Sequence, residues 1–232
     1  MSEYTADFAL VGEGVTDHVV LKNILRGYLK GQPREPAFTV RQPDRDATAE
    51  REWQQFGNWE NVFRYLREGH HRNALQFNHY LVVQVDTDCS DHPNFGVSRR
   101  VEDKLLEVSV FVEQVVNRIR REIGEDDCEE YGNRLLFAVC VDSLECWLLP
   151  LWADQKAKQA KTKGCLQTLN QGLNRQNQPQ ISSSKKGVQP YEDASRGYRN
   201  RKELLKSGPR NPSLGIFLDS LDAQSIRLEV AE

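Results

Sequence analysis

The sequence predicts an α/β fold built on a parallel sheet, and three apolar runs that each stop at an acidic cluster carry that prediction. Phe8-Ala9-Leu10-Val11 leads into Gly12-Glu13-Gly14-Val15-Thr16-Asp17. Tyr80-Leu81-Val82-Val83-Gln84-Val85 leads into Asp86-Thr87-Asp88, with Asp91 just beyond. Leu135-Leu136-Phe137-Ala138-Val139-Cys140-Val141 leads into Asp142-Ser143-Leu144-Glu145. Short, nearly continuous apolar runs are how strands buried on both faces read. Ligands of open α/β sheets bind outside the carboxyl ends of the strands, so acids at three such ends are expected to converge. Gathered carboxylates repel one another unless a hard divalent cation lies between them. All-oxygen ligation suits Mg²⁺ or Mn²⁺.

The remaining elements follow in order. After the first strand Thr16 can cap a helix with Asp17 in its first turn, Val20, Leu21, Ile24 and Leu25 at helical spacing and Gly27 as its stop. Ala37-Phe38-Thr39-Val40 is a short strand, followed by a polar loop with Pro43 and Asp44. Trp53, Phe56, Trp59, Val62, Phe63 and Leu66 give an amphipathic helix. Pro93, Asn94 and Gly96 break the chain after the Asp-rich strand end, and a long helix is expected from about Val101 to Ile123. An acidic turn over 125–130 precedes the next strand, and Ser143 is placed to cap a helix that begins at Leu144 and is limited by Pro150. Strands alternating with helices imply crossover connections and a parallel sheet.

Beyond Trp152 the pattern changes. Asn170 to Gln180 is rich in Asn and Gln, and Ser182 to Gly187 has no core signal, so a loop is expected there. Helices follow near Glu192–Lys206 and Pro212–Leu221, the second with Leu214, Phe217, Leu218 and Leu221 on one face. These boundaries give a domain over residues 5–152 and a basic helical extension over 153–232.

The net charge of −3 hides an asymmetry that bears on partners. Residues 155–210 hold thirteen basic side chains against Glu192, Asp193 and Glu203, a surplus of ten positive charges, which leaves thirteen negative charges on the rest. An acidic metal-binding body with a basic segment suits a polyanion that must reach a cation, and nucleic acid is the expected partner. A solvated charged surface is the bland alternative and has equal weight. Lys185, Lys186, Arg196, Arg199, Arg201 and Lys202 are the candidate phosphate contacts. Tyr191 and Tyr198, interleaved with the arginines, are candidates for stacking on unpaired bases.

No apolar run approaches the roughly 20 residues a membrane span needs, and the acidic amino terminus lacks the order of a signal peptide. A cytoplasmic protein without a membrane partner is expected. Five cysteines, an odd number with no Cys-x-x-Cys pair, argue against a disulfide framework and a structural zinc site. Cys89 reads as a small filler, because no basic neighbour stands ready to lower its pKa.

The order strand–Glu13–helix, strand–helix, strand–Asp86-x-Asp88–helix, strand–helix with Glu145 resembles the TOPRIM domain, shared by bacterial primases, topoisomerases, recombination-repair proteins and overcoming-lysogenization-defect nucleases. Gly12-Glu13-Gly14-x-x-Asp17 matches the first motif of that family and Asp86-Thr87-Asp88 the second, over roughly residues 5–150. The resemblance implies a Rossmann-like parallel sheet flanked by helices, with Glu13 as the acid/base residue and Asp86 and Asp88 as metal ligands. The compact Glu-Gly-x-Thr-Asp form is similar to small stand-alone bacterial TOPRIM-like proteins. That implies a Mg²⁺- or Mn²⁺-dependent nuclease acting on DNA or RNA, in some cases the toxic effector of an anti-phage pair beside a separate ATPase.

The chemistry of the residues agrees. Phosphodiester cleavage needs neutralised phosphate charge and an activated water or hydroxyl, which bound divalent metals supply. Asp86 and Asp88 project from one face of the chain end, and Glu13 holds the metal or acts as general base, with glycines on either side to let a phosphate approach. Asp91 and Glu145 are further candidate metal ligands. Glu145 fits a first-turn helix acid equally well, Asp17 fits a first-turn acid better, and Asp142 with Ser143 fits a cap. A non-catalytic nucleic-acid-binding or regulatory module with a structural metal site is the alternative function.

Overall fold

The computed structural model describes residues 4–42, 58–182 and 187–228. The chain forms two compact units, Met1–Gly14 with Ala37–Val139 and Val15–Pro36 with Cys140–Glu232. These cuts differ from the boundary at 152/153. The first helix of the chain and the segment from Cys140 onward group with the carboxyl-terminal part.

The first unit carries the sheet. Strands β1 (Ala6–Val11), β2 (Phe38–Gln42), β3 (Asn78–Asp86) and β6 (Leu135–Cys140) form a four-stranded parallel sheet in the order β2-β1-β3-β6. The α/β class and the helix-flanked parallel sheet expected from the apolar runs are both present. Every residue of the central strand β1 is buried, as its unbroken apolar run requires. Phe8 stands in register with Phe38 and with Tyr80, and its ring stacks on both, at centroid distances of 5.7 and 5.5 Å. Such cross-strand aromatic pairs fix register as well as adding burial.

Helices Asn58–Arg67 and His70–Phe77 pack on the strands, and helix Val108–Ile123 packs on the first of them. The long helix expected from Val101 starts later. Residues 100–105 instead form a small antiparallel hairpin of β4 (Arg100–Val101) and β5 (Lys104–Leu105), turned by Glu102 and Asp103 at positive φ. Residues 125–131 form a short helix where an acidic turn was expected. The amphipathic helix is described from Asn58 onward; Trp53, Phe56 and the Pro43–Asp44 loop lie outside the described residues.

The second unit is helical. It comprises Val15–Tyr28, Glu145–Trp152, Lys156–Gln159, Cys165–Arg175, Val188–Ser195, Arg201–Ser207 and Pro212–Ala223, with short 3-10 turns between the later ones. The first helix ends at Tyr28, one residue past the stop expected at Gly27. A Cβ at Gly27 would lie 1.7 Å from the Tyr198 carbonyl oxygen, so glycine permits a close backbone approach. The Asn/Gln-rich stretch is no loop at its start, because helix Cys165–Arg175 buries Cys165, Thr168, Leu169, Gly172 and Leu173 at helical spacing. The cysteine reading is also corrected: Cys146 and Cys165 form a disulfide with Cα atoms 5.0 Å apart, joining two helices of this unit. Cys89, Cys128 and Cys140 are not part of a disulfide. No helix among the described residues is long and apolar enough to cross a membrane.

Candidate metal and phosphodiester site

Sheet register brings two of the predicted acids together. Val11 of β1 pairs with Val83 of β3, so the turn after β1 and the end of β3 leave the sheet side by side. Glu13 sits two residues past that pair and Asp86 three. The Glu13 carboxylate accepts the backbone N–H of Asp86 at 2.6 Å. Gln84 completes the link: its carbonyl oxygen accepts the Glu13 N–H at 3.1 Å, and its amide donates to the Asp86 carboxylate at 2.9 Å. One side chain therefore sets both the backbone at Glu13 and the orientation of Asp86. Gln84 is wholly buried, and the desolvation of its amide is met by these bonds. The sequence reading passed over Gln84, although a lone amide inside the run Leu81–Val85 was a usable signal.

Asp88 and Asp91 lie in the loop that follows, and both are exposed. Backbone hydrogen bonds shape that loop, from Ser90 to Thr87, His92 to Cys89 and Val97 to Ser90. Phe95 anchors it: fully buried, its ring lies 5.1 Å from Trp59 and 5.0 Å from Phe63. Arg118 then donates to the carbonyl oxygens of Phe95 and Asn94 at 2.9 and 3.1 Å.

Cys89 reports the local field. Partial desolvation pushes its thiol pKa up, and the charges of Asp88, Glu13 and Asp86 push it further, with the Asp88 carboxylate hydrogen-bonded to the thiol. The three predicted acids thus act on one atom. A thiol raised in this way is a poor nucleophile, which agrees with its reading as a filler. The Glu13, Asp86 and Asp88 oxygens nevertheless form no set of three lying mutually within 4.8 Å. Among the described residues the group that meets this spacing is Asp142, Cys146 and Cys165. The disulfide takes both sulfurs of that group, and the Asp142 carboxylate accepts the Gly164 N–H at 2.8 Å.

The other candidates belong to the helical unit. Glu145 is 4% exposed and accepts the hydroxyl of Tyr191. Ser143 gives no side-chain cap, since the helix begins at Glu145 after Leu144. Tyr191 and Tyr198 are 1% and 0% exposed, which removes them as base-stacking surfaces; the Tyr198 hydroxyl donates to the Trp147 carbonyl. Arg199 pairs with Glu192 and donates to Asn23 at 2.6 Å, and Arg196 pairs with Asp193. Arg201 and Lys202 are exposed, with the Arg201 guanidinium 5.3 Å from the centre of the Tyr28 ring. Lys185 and Lys186 lie outside the described residues.

No family model, no curated protein and no solved structure matches the chain.

Proposed function

We propose that the chain is a divalent-metal-dependent nuclease of TOPRIM type, cleaving phosphodiester bonds of DNA or RNA at the Glu13–Asp86–Asp88 cluster. The observation that supports this most is the Gln84 amide, which couples Glu13 and Asp86 across neighbouring strands at their carboxyl ends. A buried residue spent on orienting two acids is expected where the acids have work to do. The donor set is all carboxylate oxygen, the chemistry that Mg²⁺ and Mn²⁺ take. Glu13 and Asp86 would hold the ion from the strand ends and Asp88 from the loop, with the three carboxylates drawn closer than they lie in this structure. A cation bound there supplies positive charge to the attacked phosphate. Glu13 accepts a proton in the reaction, and Gln84 keeps the Asp86 carboxylate aimed.

Purified protein incubated with labelled DNA and RNA panels in Mg²⁺, Mn²⁺ or EDTA tests the proposal. Cleavage is expected with metal and not with EDTA. Glu13→Gln should lower the rate by about 10²–10⁴-fold, the usual contribution of a positioned acid/base group. No cleavage of either nucleic acid with either metal, or a Glu13→Gln rate equal to the parent's, would favour a binding or regulatory module instead.

A further inference from the structure

We propose that a cleft at the carboxyl end of β2 is a phosphate-binding pocket, built by Arg41, Asn61 and Arg64. The cleft has about 510 Å³ between the last residues of β2 and helix Asn58–Arg67, within the size range of small-molecule sites. Two buried donors in its lining, Arg41 Nε and Asn61 Nδ2, have no hydrogen-bond partner among the described residues. Asn61 is 3% exposed, and its carbonyl oxygen accepts from Arg64 at 2.9 Å. A guanidinium can only donate, so that bond fixes which end of the Asn61 amide is the oxygen and leaves the NH₂ as the unsatisfied end.

A buried donor without an acceptor is costly, and native proteins leave few of them. Two such donors in one cleft call for an acceptor with several oxygens. The charge around them specifies its sign. Arg41 and Arg64 bring positive charge to the lining, and Glu68, the carboxylate among the described lining residues, lies 3.1 Å from His70. An oxyanion with several acceptor oxygens can accept from the Arg41 Nε–H and the Asn61 amide at once, and phosphate is that ligand.

The position of the cleft gives the pocket a use. The Gly12 N–H donates to the carbonyl oxygen of Gln42 at 3.0 Å, so the end of β2 is tied to the turn that carries Glu13. The phosphate pocket and the acidic cluster thus sit along one carboxyl edge of one sheet. That the bound phosphate belongs to a nucleic acid rests on the nuclease reading; that the pocket takes phosphate does not. The phosphate is either an internal diester beside the cleaved bond or the monoester at a strand end.

Thermal melts of the full chain in EDTA, at constant ionic strength, test the pocket without reference to cleavage. Inorganic phosphate should raise the melting temperature by mass action, and chloride at equal ionic strength should not. Arg41→Met should abolish that shift, while its ligand-free melting temperature stays at or above the parent's because an unpaired donor is gone. Arg41→Lys, which keeps the charge and the stem, should weaken phosphate binding by about tenfold or more through loss of the fork. Short oligonucleotides with and without a 5′-phosphate separate the two sources: tighter competition by the phosphorylated strand identifies a terminal monoester, and equal competition an internal diester. A parent protein that phosphate does not stabilise, or an Arg41→Met or Arg41→Lys variant that keeps the full shift, overturns the pocket. If the parent fails to cleave but the phosphate shift persists, the nuclease reading falls and the pocket stands.

Discussion

In the sheet-bearing unit the buried polar groups gather at strand ends and in ion pairs, whereas in the helical unit they lock helices to one another. His71, fully buried, lies 2.7 Å from the Asp127 carboxylate, to which Arg72 also donates at 2.7 Å. Gln84 performs the same service for Glu13 and Asp86. In the helical unit, Trp147 and Asn211 are tied through Ser213, Tyr191 bonds to Glu145, and the Cys146–Cys165 bridge joins two helices. The first unit also buries polar groups, but at its strand ends they hold acids at or near the surface. Chemistry is therefore expected in the first unit, and stability and charge in the second.

Removing the bridge should have the largest effect on stability. The Cys146→Ala, Cys165→Ala double variant should lose about 2–4 kcal/mol, since the crosslink restrains the unfolded chain. Denaturant melts should show this loss, while metal-dependent cleavage at a permissive temperature stays within a few-fold of the parent's. Loss of activity at full folding would break the proposed division of labour.

Asp127→Asn should destabilise by about 1–3 kcal/mol, because His71 and Arg72 would lose a buried charged acceptor. The same residue predicts an acid limit. Burial works against ionisation of Asp127, but the hydrogen bonds from His71 and Arg72 hold its pKa below the ordinary carboxylate value. Burial likewise opposes Glu122, which Arg67 and Arg118 hold low. A carboxylate depressed in the folded state contributes stability that is complete above its unfolded value of about 4 and is lost as pH falls through the lower folded value. Melting temperature should therefore fall steeply below about pH 4 in the parent and less steeply in Asp127→Asn. Parallel profiles would remove this ion pair from the account.

Gly27→Ala should cost about 1–3 kcal/mol, because its Cβ would meet backbone at Tyr198 rather than a movable side chain. The smallest effect is expected at Arg201. Its exposed contact with Tyr28 contributes about 0.5–1 kcal/mol, so Arg201→Ala should barely change stability. If the helical unit contacts phosphates, that variant should weaken nucleic-acid binding across all sequences and flatten its salt dependence.

Much of the first unit was legible in the sequence. Its buried strands are apolar runs of the right length, and the register of a parallel sheet carries Glu13 and Asp86 together without further information. Gln84, Arg41 and Asn61 were less legible, since a single polar residue inside an apolar pattern gives no sign of its partner until the strands are aligned. The helical unit was read less well for a related reason. An odd cysteine count hid the one bridge, and the abundance of Asn and Gln masked the helical spacing of Cys165, Leu169 and Leu173. Tyr191 and Tyr198 looked exposed because arginines surround them in sequence, yet both rings fill the core and their hydroxyls find acceptors.

Paired melts and cleavage assays on Asp86→Asn and Asp88→Asn test most directly whether the acidic cluster is a metal-dependent site. Each substitution removes one of several neighbouring negative charges, so metal-free stability should hold or rise slightly. Mg²⁺ or Mn²⁺ should raise the melting temperature of the parent and not of the variants, and cleavage by the variants should vanish. Variants that melt lower without metal, keep the metal-induced shift and cleave at the parent rate would contradict a metal-dependent site there.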